Sequence, residues 1–211
     1  MLVNDIMQHD VACVRPETRL DDVLRLLQRR GVRHVPVLHH EALAGIISDR
    51  DLKSLLPGLI AEPARPDARA LMAGDIMTKH VVTVEPTTSV EDAARLLMER
   101  RIGALPVLEA GALVGIVTEP DVLMLFVRAM GILEPSSRLD VLLTDAPASL
   151  GRALHTVESA GVGVSSVVTL TDPSSKVREA VIRIGTINPG PVRQALEADG
   201  FVIRTPRRLP G

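Results

Sequence analysis

The chain reads as an α+β protein in two parts. A tandem pair of βαββα repeats would form one module with an internal pseudo-two-fold, and a βαββαβ domain would follow it. Three observations predict this. A shift of 70 positions lays the chain on itself without a gap: Asp5-Ile-Met7 on Asp75-Ile-Met77, Arg25-Leu-Leu27 on Arg95-Leu-Leu97, Pro36-Val-Leu38 on Pro106-Val-Leu108. Each copy closes on a strand-to-helix corner, Gly45-Ile-Ile-Ser-Asp-Arg-Asp51 and Gly115-Ile-Val-Thr-Glu-Pro-Asp121. From Arg138 the pattern changes to a second alternation of strand-like and helix-like segments. The expected boundaries are 1–60, 70–132 and 138–206.

The elements of each repeat follow in order. A short strand (Val11 to Val14; Val81 to Val84) is stopped by Pro16 or Pro86. A helix comes next, with Leu20, Val23, Leu24 and Leu27, or Val90, Ala93, Ala94 and Leu97, at helical spacing. Thr18 and Ser89 are the candidate caps. Two strands follow, Val35 to Leu38 with Leu43 to Ile47, and Leu105 to Leu108 with Leu113 to Val117. Four-residue turns, His39-His-Glu-Ala42 and Glu109-Ala-Gly-Ala112, join them. One βαββα unit leaves a sheet face bare, so two copies cover each other and create two related clefts. The stretch from Pro57 to Pro66 is the expected linker, and Met124 to Leu133 is an apolar continuation expected to pack on the next domain.

In the tail, Leu139 to Leu143 reads as a strand, and Leu150, Leu154, Val157 and Ala160 mark a helix ended by Gly161 to Gly163. Val164 to Thr171 and Val177 to Ile184 are strands around an Asp172-Pro-Ser-Ser175 loop. Asn188-Pro-Gly-Pro191 opens a second helix, and Phe201 to Arg204 is the last strand. The order βαββαβ is a ferredoxin-like plan.

Composition narrows the function. Phe126 and Phe201 are the only aromatic residues, so the core is aliphatic and no stacking platform for single-stranded nucleic acid exists. A net charge of −2 gives no basic field for duplex DNA. The single Cys13 excludes an internal disulfide and a cysteine zinc site, and reads as a buried thiol. No signal pattern opens the chain, and the longest apolar run, Val122 to Val127, is too short to span a bilayer. A soluble cytoplasmic protein without nucleic-acid or membrane partners is the expectation.

Chemistry concentrates at the corners. Ser48 or Thr118 stands at an N-cap position and Asp51 or Asp121 lies three residues on. Ser/Thr-x-x-Asp is a common helix opener. The same hydroxyl, carboxylate and exposed N–H groups can also hold a ribose and a phosphate. Both readings stay open for these residues.

The Val-x-Pro strands, the Val35-Pro-Val37 and Leu105-Pro-Val107 strands and the two corners together resemble a tandem pair of cystathionine-β-synthase (CBS) domains over about residues 1–130. The resemblance implies a regulatory ligand of the adenosine class: AMP, ADP, ATP or S-adenosylmethionine. It implies that Asp51 and Asp121 accept bonds from ribose hydroxyls, and that Ser48 and Thr118 meet ribose or phosphate oxygen. Val32-Arg-His34 and Ile102-Gly-Ala104, with Pro36 and Pro106 beyond them, would line the adenine pocket, and Cys13 and Thr83 the mouths of the clefts. Arg33, His34 and Arg50 offer the first cleft a cationic phosphate site. Gly103, Ala104 and Pro120 replace them in the second, so the first cleft is expected to bind a nucleotide more tightly.

The tail resembles an ACT domain, a small-molecule sensing and association module, through Asp145-x-Pro147-x-x-Leu150 and Gly161-Val-Gly-Val164. That family has glycine after the proline where a ligand approaches the backbone. Ala148 stands there, which disfavours amino-acid binding and favours sheet pairing between chains. A CBS pair with an ACT-like tail resembles AcuB-like acetoin-utilisation proteins.

No catalytic set is visible: Ser48 and Thr118 lack an activating histidine, His34, His39 and His40 lack metal spacing, and no phosphate-binding glycine loop occurs. The expectation is a non-enzymatic homodimeric regulator acting on an unknown protein partner, without a metal. The alternative is an interaction scaffold with vestigial clefts.

Overall fold

The structure is a computed structural model and describes residues 1–53, 71–144, 146, 148–174 and 176–204. The expected linker from Pro57 to Pro66 lies outside the described residues, as do Asp145, Pro147 and Ser175. The chain divides into two compact units, Met1–Leu123 and Met124–Gly211.

The first unit holds helix α1 (Leu20–Arg30), strands β1 (His34–His39) and β2 (Ala42–Ser48), the short helix α2 (Ala73–Ile76), helix α3 (Val90–Arg100) and strands β3 (Ala104–Glu109) and β4 (Ala112–Thr118). Helices also open directly after β2, at residues 49–53, and after β4, as α4 (Glu119–Ala129). The strands form one antiparallel sheet in the order β1-β2-β4-β3. Each hairpin turns through two positive-φ residues, His40 and Glu41 (φ 49° and 69°) or Ala110 and Gly111 (φ 49° and 83°), the geometry that suits a right-twisted ribbon.

The predicted strands from Val11 and Val81 shrink to single parallel bridges, Val14 opposite Val37 and Val84 opposite Val107. The cause is proline on the partner strand. Pro36 and Pro106 accept from the amides of Val14 and Val84 (3.0 and 3.1 Å) but have no N–H to continue the ladder. The cap assignment also changes. Ser89 caps α3, accepting from the Asp92 amide, whereas Arg19 stands at the equivalent place before α1 without a side-chain cap. Thr18 accepts from the Arg15 amide at 3.0 Å instead, as Thr88 does from that of Glu85.

The two repeats exchange their leading segments. The start of the chain pairs with the second repeat: the Val3 amide donates to Thr88 O and the Asn4 amide to Pro86 O. Residues around α2 pair with the first: the Ala73 amide donates to Thr18 O and the Gly74 amide to Pro16 O. Thr78 exchanges backbone bonds with Ile46 on β2, and Gln8 with Ile116 on β4. The cores follow the exchange. Val3 and Met7 are buried with Ala93, Leu97, Leu105, Val107 and Val117, while Ala73 is buried with Leu20, Val23, Leu27, Val35 and Ile47.

This crossing needs bare backbone on the sheet. A Cβ on Gly45 would lie 2.6 Å from Met77 Sδ and 2.9 Å from Thr78 O; on Gly115 it would lie 2.6 Å from Met7 Sδ. Glycine at these two places is therefore a packing requirement.

The second unit contains β5 (Ser137–Leu143), α5 (Ser149–Ser159), β6 (Val164–Thr171), β7 (Arg178–Ile184), α6 (Gly190–Ala198) and β8 (Val202–Arg204). Its antiparallel sheet has the order β6-β7-β5-β8. Leu139, Val141 and Leu143 from β5 and Ala180, Ile182 and Ile184 from β7 face Ala153, Val157, Val192 and Leu196 of the helices, so both helices cover one sheet face. On β5, Arg138 forks onto Asp140 (2.6 and 2.9 Å), which is how a carboxylate only 5% exposed is tolerated. The stretch from Met124 to Leu133 does not bury its apolar residues as expected: Met124 and Phe126 on α4, and Ile132 and Leu133 after it, are exposed. Its fixed points are polar, with Ser166 donating to Met130 O at 2.9 Å and Ser136 to Gly131 O at 3.3 Å.

We expect Gly45→Ala to destabilise the first unit by about 1–3 kcal/mol, the cost of overpacking a filled site. The added methyl meets Met77 and a backbone oxygen that cannot swing away. Thermal melting of the variant beside wild type is the measurement, and an unchanged melting temperature contradicts the packing requirement.

Candidate functional site

The exchange of segments makes one composite cleft. A cavity of about 320 Å³ opens between the repeats. From the first repeat it is lined by Arg33, His34, Ile46 and the corner Ser48-Asp-Arg-Asp51. From the second it takes the crossing segment Thr78 and His80 to Val82, the stretch Arg101 to Ala104, and Glu119. The strand end β2 places Ser48, the helix start at 49 places Asp51, and Thr78 is held against Ile46 by the sheet pairing.

At the corner, Asp51 Oδ2 accepts from the Ser48 amide (2.8 Å) and hydroxyl (2.7 Å). The Asp51 amide donates back to Ser48 Oγ at 3.3 Å. The second corner repeats this, Asp121 Oδ2 accepting from the Thr118 amide at 2.9 Å and from its hydroxyl. Both corners thus share the carboxylate half of the capping motif, and the return bond from the Asp amide closes it at the first. The corners differ in what reaches them from the crossing segment. Gln8 Nε2 donates to Asp121 Oδ1 at 3.0 Å, whereas the residue equivalent to Gln8 at the first corner is the shorter Thr78.

His34 and Asp49 are the cleft groups whose titration the site shifts. Burial pushes the His34 imidazole below the ordinary range, against the raising pull of Asp49, Asp51 and Glu119. Its ring lies over Gly103, where a Cβ would come within 2.8 Å of His34 Cε1. Asp49 is held below the usual carboxylate range by a 2.8 Å bond from Lys53.

Of the residues singled out from sequence, Arg33, His34, Ser48, Arg50, Asp51 and Ala104 meet in this cavity. Pro36 and Pro106 are buried within β1 and β3. Thr118 and Asp121 form the related second corner. Cys13 is placed elsewhere. It lines a different groove with Arg15, Arg29, His39 and His40, and burial raises its thiol pKa. Thr83 follows the crossing segment but is outside the cavity lining, which ends at Val82. The reason is the exchange: each corner faces the leading segment of the other repeat, not its own. Sequence reasoning missed Thr78 and His80 for the same reason, and Arg101 and Glu119 because they reach the first corner from the second repeat. Among the described residues no group of three His, Cys, Asp or Glu side chains is placed to hold a metal ion, and no helix is long and apolar enough to cross a membrane.

Comparison with known proteins agrees with the repeat. The CBS domain family matches twice, at residues 3–58 and 73–128. A CBS domain-containing protein of Dictyostelium discoideum is 31% identical over 143 residues, covering 65% of this chain and 99% of that protein. Inosine-5'-monophosphate dehydrogenase of Korarchaeum cryptofilum is 30% identical over 145 residues, 68% of this chain but 28% of the dehydrogenase. Among solved structures, CBSX2 in complex with AMP superposes with a TM-score of 0.52 at 35% identity, covering 60% of this chain and 96% of CBSX2. The CBS pair of protein MJ0100, in complex with 5'-methylthioadenosine and S-adenosyl-L-methionine, gives 0.53 at 25% identity, over 60% of this chain and 95% of that one. The Vibrio cholerae protein assigned to acetoin utilization (AcuB) gives 0.53 at 27%, over 64% and 96%. With two family matches that together span more than half of its length, in the repeats whose exchanged segments build the cleft, the chain belongs to the CBS domain family.

Proposed function

We propose that this chain is a non-enzymatic regulator that binds an adenosine nucleotide in the composite cleft. The observation that carries the reading is the convergence of Ser48 and Asp51 with Arg33 and Arg50 in one cavity of about 320 Å³. The carboxylate suits ribose hydroxyls and the guanidiniums suit phosphate oxygens. The AMP complex of CBSX2 and the S-adenosyl-L-methionine complex of MJ0100 support the ligand class. The second cleft is the weaker one in this reading, because Gln8 already donates to Asp121 there and Gly103 and Pro120 replace the arginines.

The tail acts as an ACT-like association domain, which the βαββαβ order and the sheet order β6-β7-β5-β8 support. Self-association as a homodimer is supported by α4, which buries none of its 11 residues and exposes Leu123, Met124 and Phe126. A ligand shifts such an assembly only through differential affinity for two arrangements. The cytoplasmic setting and a role in acetoin utilisation are proposals of the same kind, and the AcuB likeness supports the latter. The second reading, a scaffold with vestigial clefts, draws support from Asp51 and Asp121 both serving their own helix starts.

Two measurements test these readings. A thermal-shift panel of AMP, ADP, ATP and S-adenosylmethionine should raise the melting temperature for at least one compound, since a ligand that binds only the native state stabilises it. Calorimetry on Asp51→Ala and Asp121→Ala, each checked for folding, should show the larger loss from Asp51→Ala; no response in the panel leaves the scaffold.

The cleft also predicts a pH effect. His34 has a lowered folded-state pKa, so between its unfolded value of about 6.5 and that lower value the unfolded chain binds the proton and the native one does not. Stability contributed by neutral His34 is therefore present above the unfolded value and falls as the pH drops below it. His34→Gln should flatten this part of the stability profile in denaturant melts, and a slope identical to wild type argues against a buried neutral imidazole.

A further inference from the structure

We propose that Arg101 sets how many phosphates the first cleft accepts, favouring a nucleoside di- or triphosphate over the monophosphate. The nucleoside half of this rests on the reading above; the phosphate half rests on the placement of Arg101.

Arg101 ends α3 in the left-handed conformation, at φ 53°. Its equivalent after α1 is Gly31, at φ 63°. Glycine is the ordinary residue for that backbone, since any Cβ is strained there. The second repeat keeps the strained backbone and carries a long cation on it, and that cation lines the cleft built on the first repeat's corner. Strain retained at a cavity wall points to a task for the side chain.

Arg33, Arg50 and Arg101 all line the cavity, and among the described residues none of the three forms an ion pair. Arg25, Arg30, Arg95, Arg138 and Arg152 each do. Of the cavity's carboxylates, Asp49 is bonded to Lys53 and Asp51 is engaged by Ser48; Glu119 pulls on His34. The positions equivalent to the three arginines are Gly103, Pro120 and Gly31. Each of the three cations therefore stands where the other copy has an uncharged residue. They come from three separate stretches of chain, and three guanidinium forks can take more acceptor oxygens than the three terminal ones of a single phosphate. A guanidinium fork takes two oxygens at once, and each added phosphate brings charge and acceptors for a further fork.

Calorimetry on the full chain, with adenosine, AMP, ADP, ATP and inorganic tripolyphosphate, tests the assignment in wild type, Arg101→Gly and Arg101→Lys. Arg101→Gly copies Gly31, so its melting temperature should not fall. Wild type should bind ADP or ATP at least tenfold more tightly than AMP. Arg101→Gly should weaken ATP by about ten- to hundredfold, as loss of one charge-assisted hydrogen bond does, with adenosine within about twofold of wild type. Arg101→Lys should fall between them, because charge remains and the fork is lost. Equal affinity of wild type for AMP and ATP, or equal loss of adenosine and ATP in Arg101→Gly, overturns the assignment while nucleotide binding stands. Tripolyphosphate binding that depends on Arg101, with no adenosine compound bound, keeps the polyphosphate site and removes the nucleotide reading. No binding of any probe by wild type removes both.

Discussion

The first unit depends on two segments of chain crossing the sheet at Gly45 and Gly115. Methionine side chains lie where a Cβ would be, and backbone pairing at Ile46 and Ile116 holds the crossings in register. Because each segment lies on the other repeat, neither repeat owns a complete core: Val3 and Met7 fill the second, and Ala73 seals the first. The sheet itself joins β2 to β4 only at Ala42 opposite Ala112. Beyond that point the crossing segments supply the missing edge partners. Intimacy between the repeats comes from exchanged backbone more than from the seam of the sheet.

The cleft is a by-product of that crossing. The segment that pairs with β2 continues past the Ser48 corner, carrying Thr78 and His80 to Val82 to the cavity wall. The backbone is nearly symmetric, down to paired bulges after Val37 and Val107. The side chains are not. Gln8 against Thr78, Gly31 against Arg101, Arg33 against Gly103 and Arg50 against Pro120 all fall at matched places around the two corners. A duplicated scaffold holds its shape through glycines, prolines and buried aliphatics, which leaves the cleft positions at liberty to differ. His34 shows how the asymmetry is accommodated, since its ring occupies room that Gly103 leaves by having no side chain.

Much of this fold was legible in the sequence because the repeat states the same pattern twice. Helix faces, hairpins and the corner motif all follow from spacing, and the tail's strands follow from alternation and glycine punctuation. The exchange was not legible. Asp5-Ile-Met7 and Asp75-Ile-Met77 are identical, so either segment would satisfy either repeat, and only chain geometry decides between them. That is why Cys13 and Thr83 were assigned to the cleft while Thr78 was missed. The one available signal was Arg101 itself, an arginine where the repeat's own register puts a C-terminal glycine. The α1 cap was misplaced for a similar reason: Thr18 looks like a cap, but the register of Ser89 points to position 19, where Arg19 stands.

Helix capping and ligand binding at the corners look like rival uses of Asp51, yet the geometry makes them compatible. The amide and hydroxyl of Ser48 both donate to Oδ2 of Asp51. A carboxylate offers about four acceptor positions, so a cap and a ligand can share one. The cap does something further: it holds the rotamer, so a ligand meeting Asp51 need not order the side chain first. At the second corner Gln8 donates to the other oxygen of Asp121, Oδ1, from within the protein. The same motif thus meets Gln8 at the second corner, where the matching residue at the first is Thr78. In the proposed reading, the residue that the crossing segment lays against the capping carboxylate, Gln8 or Thr78, is what sets the two clefts apart.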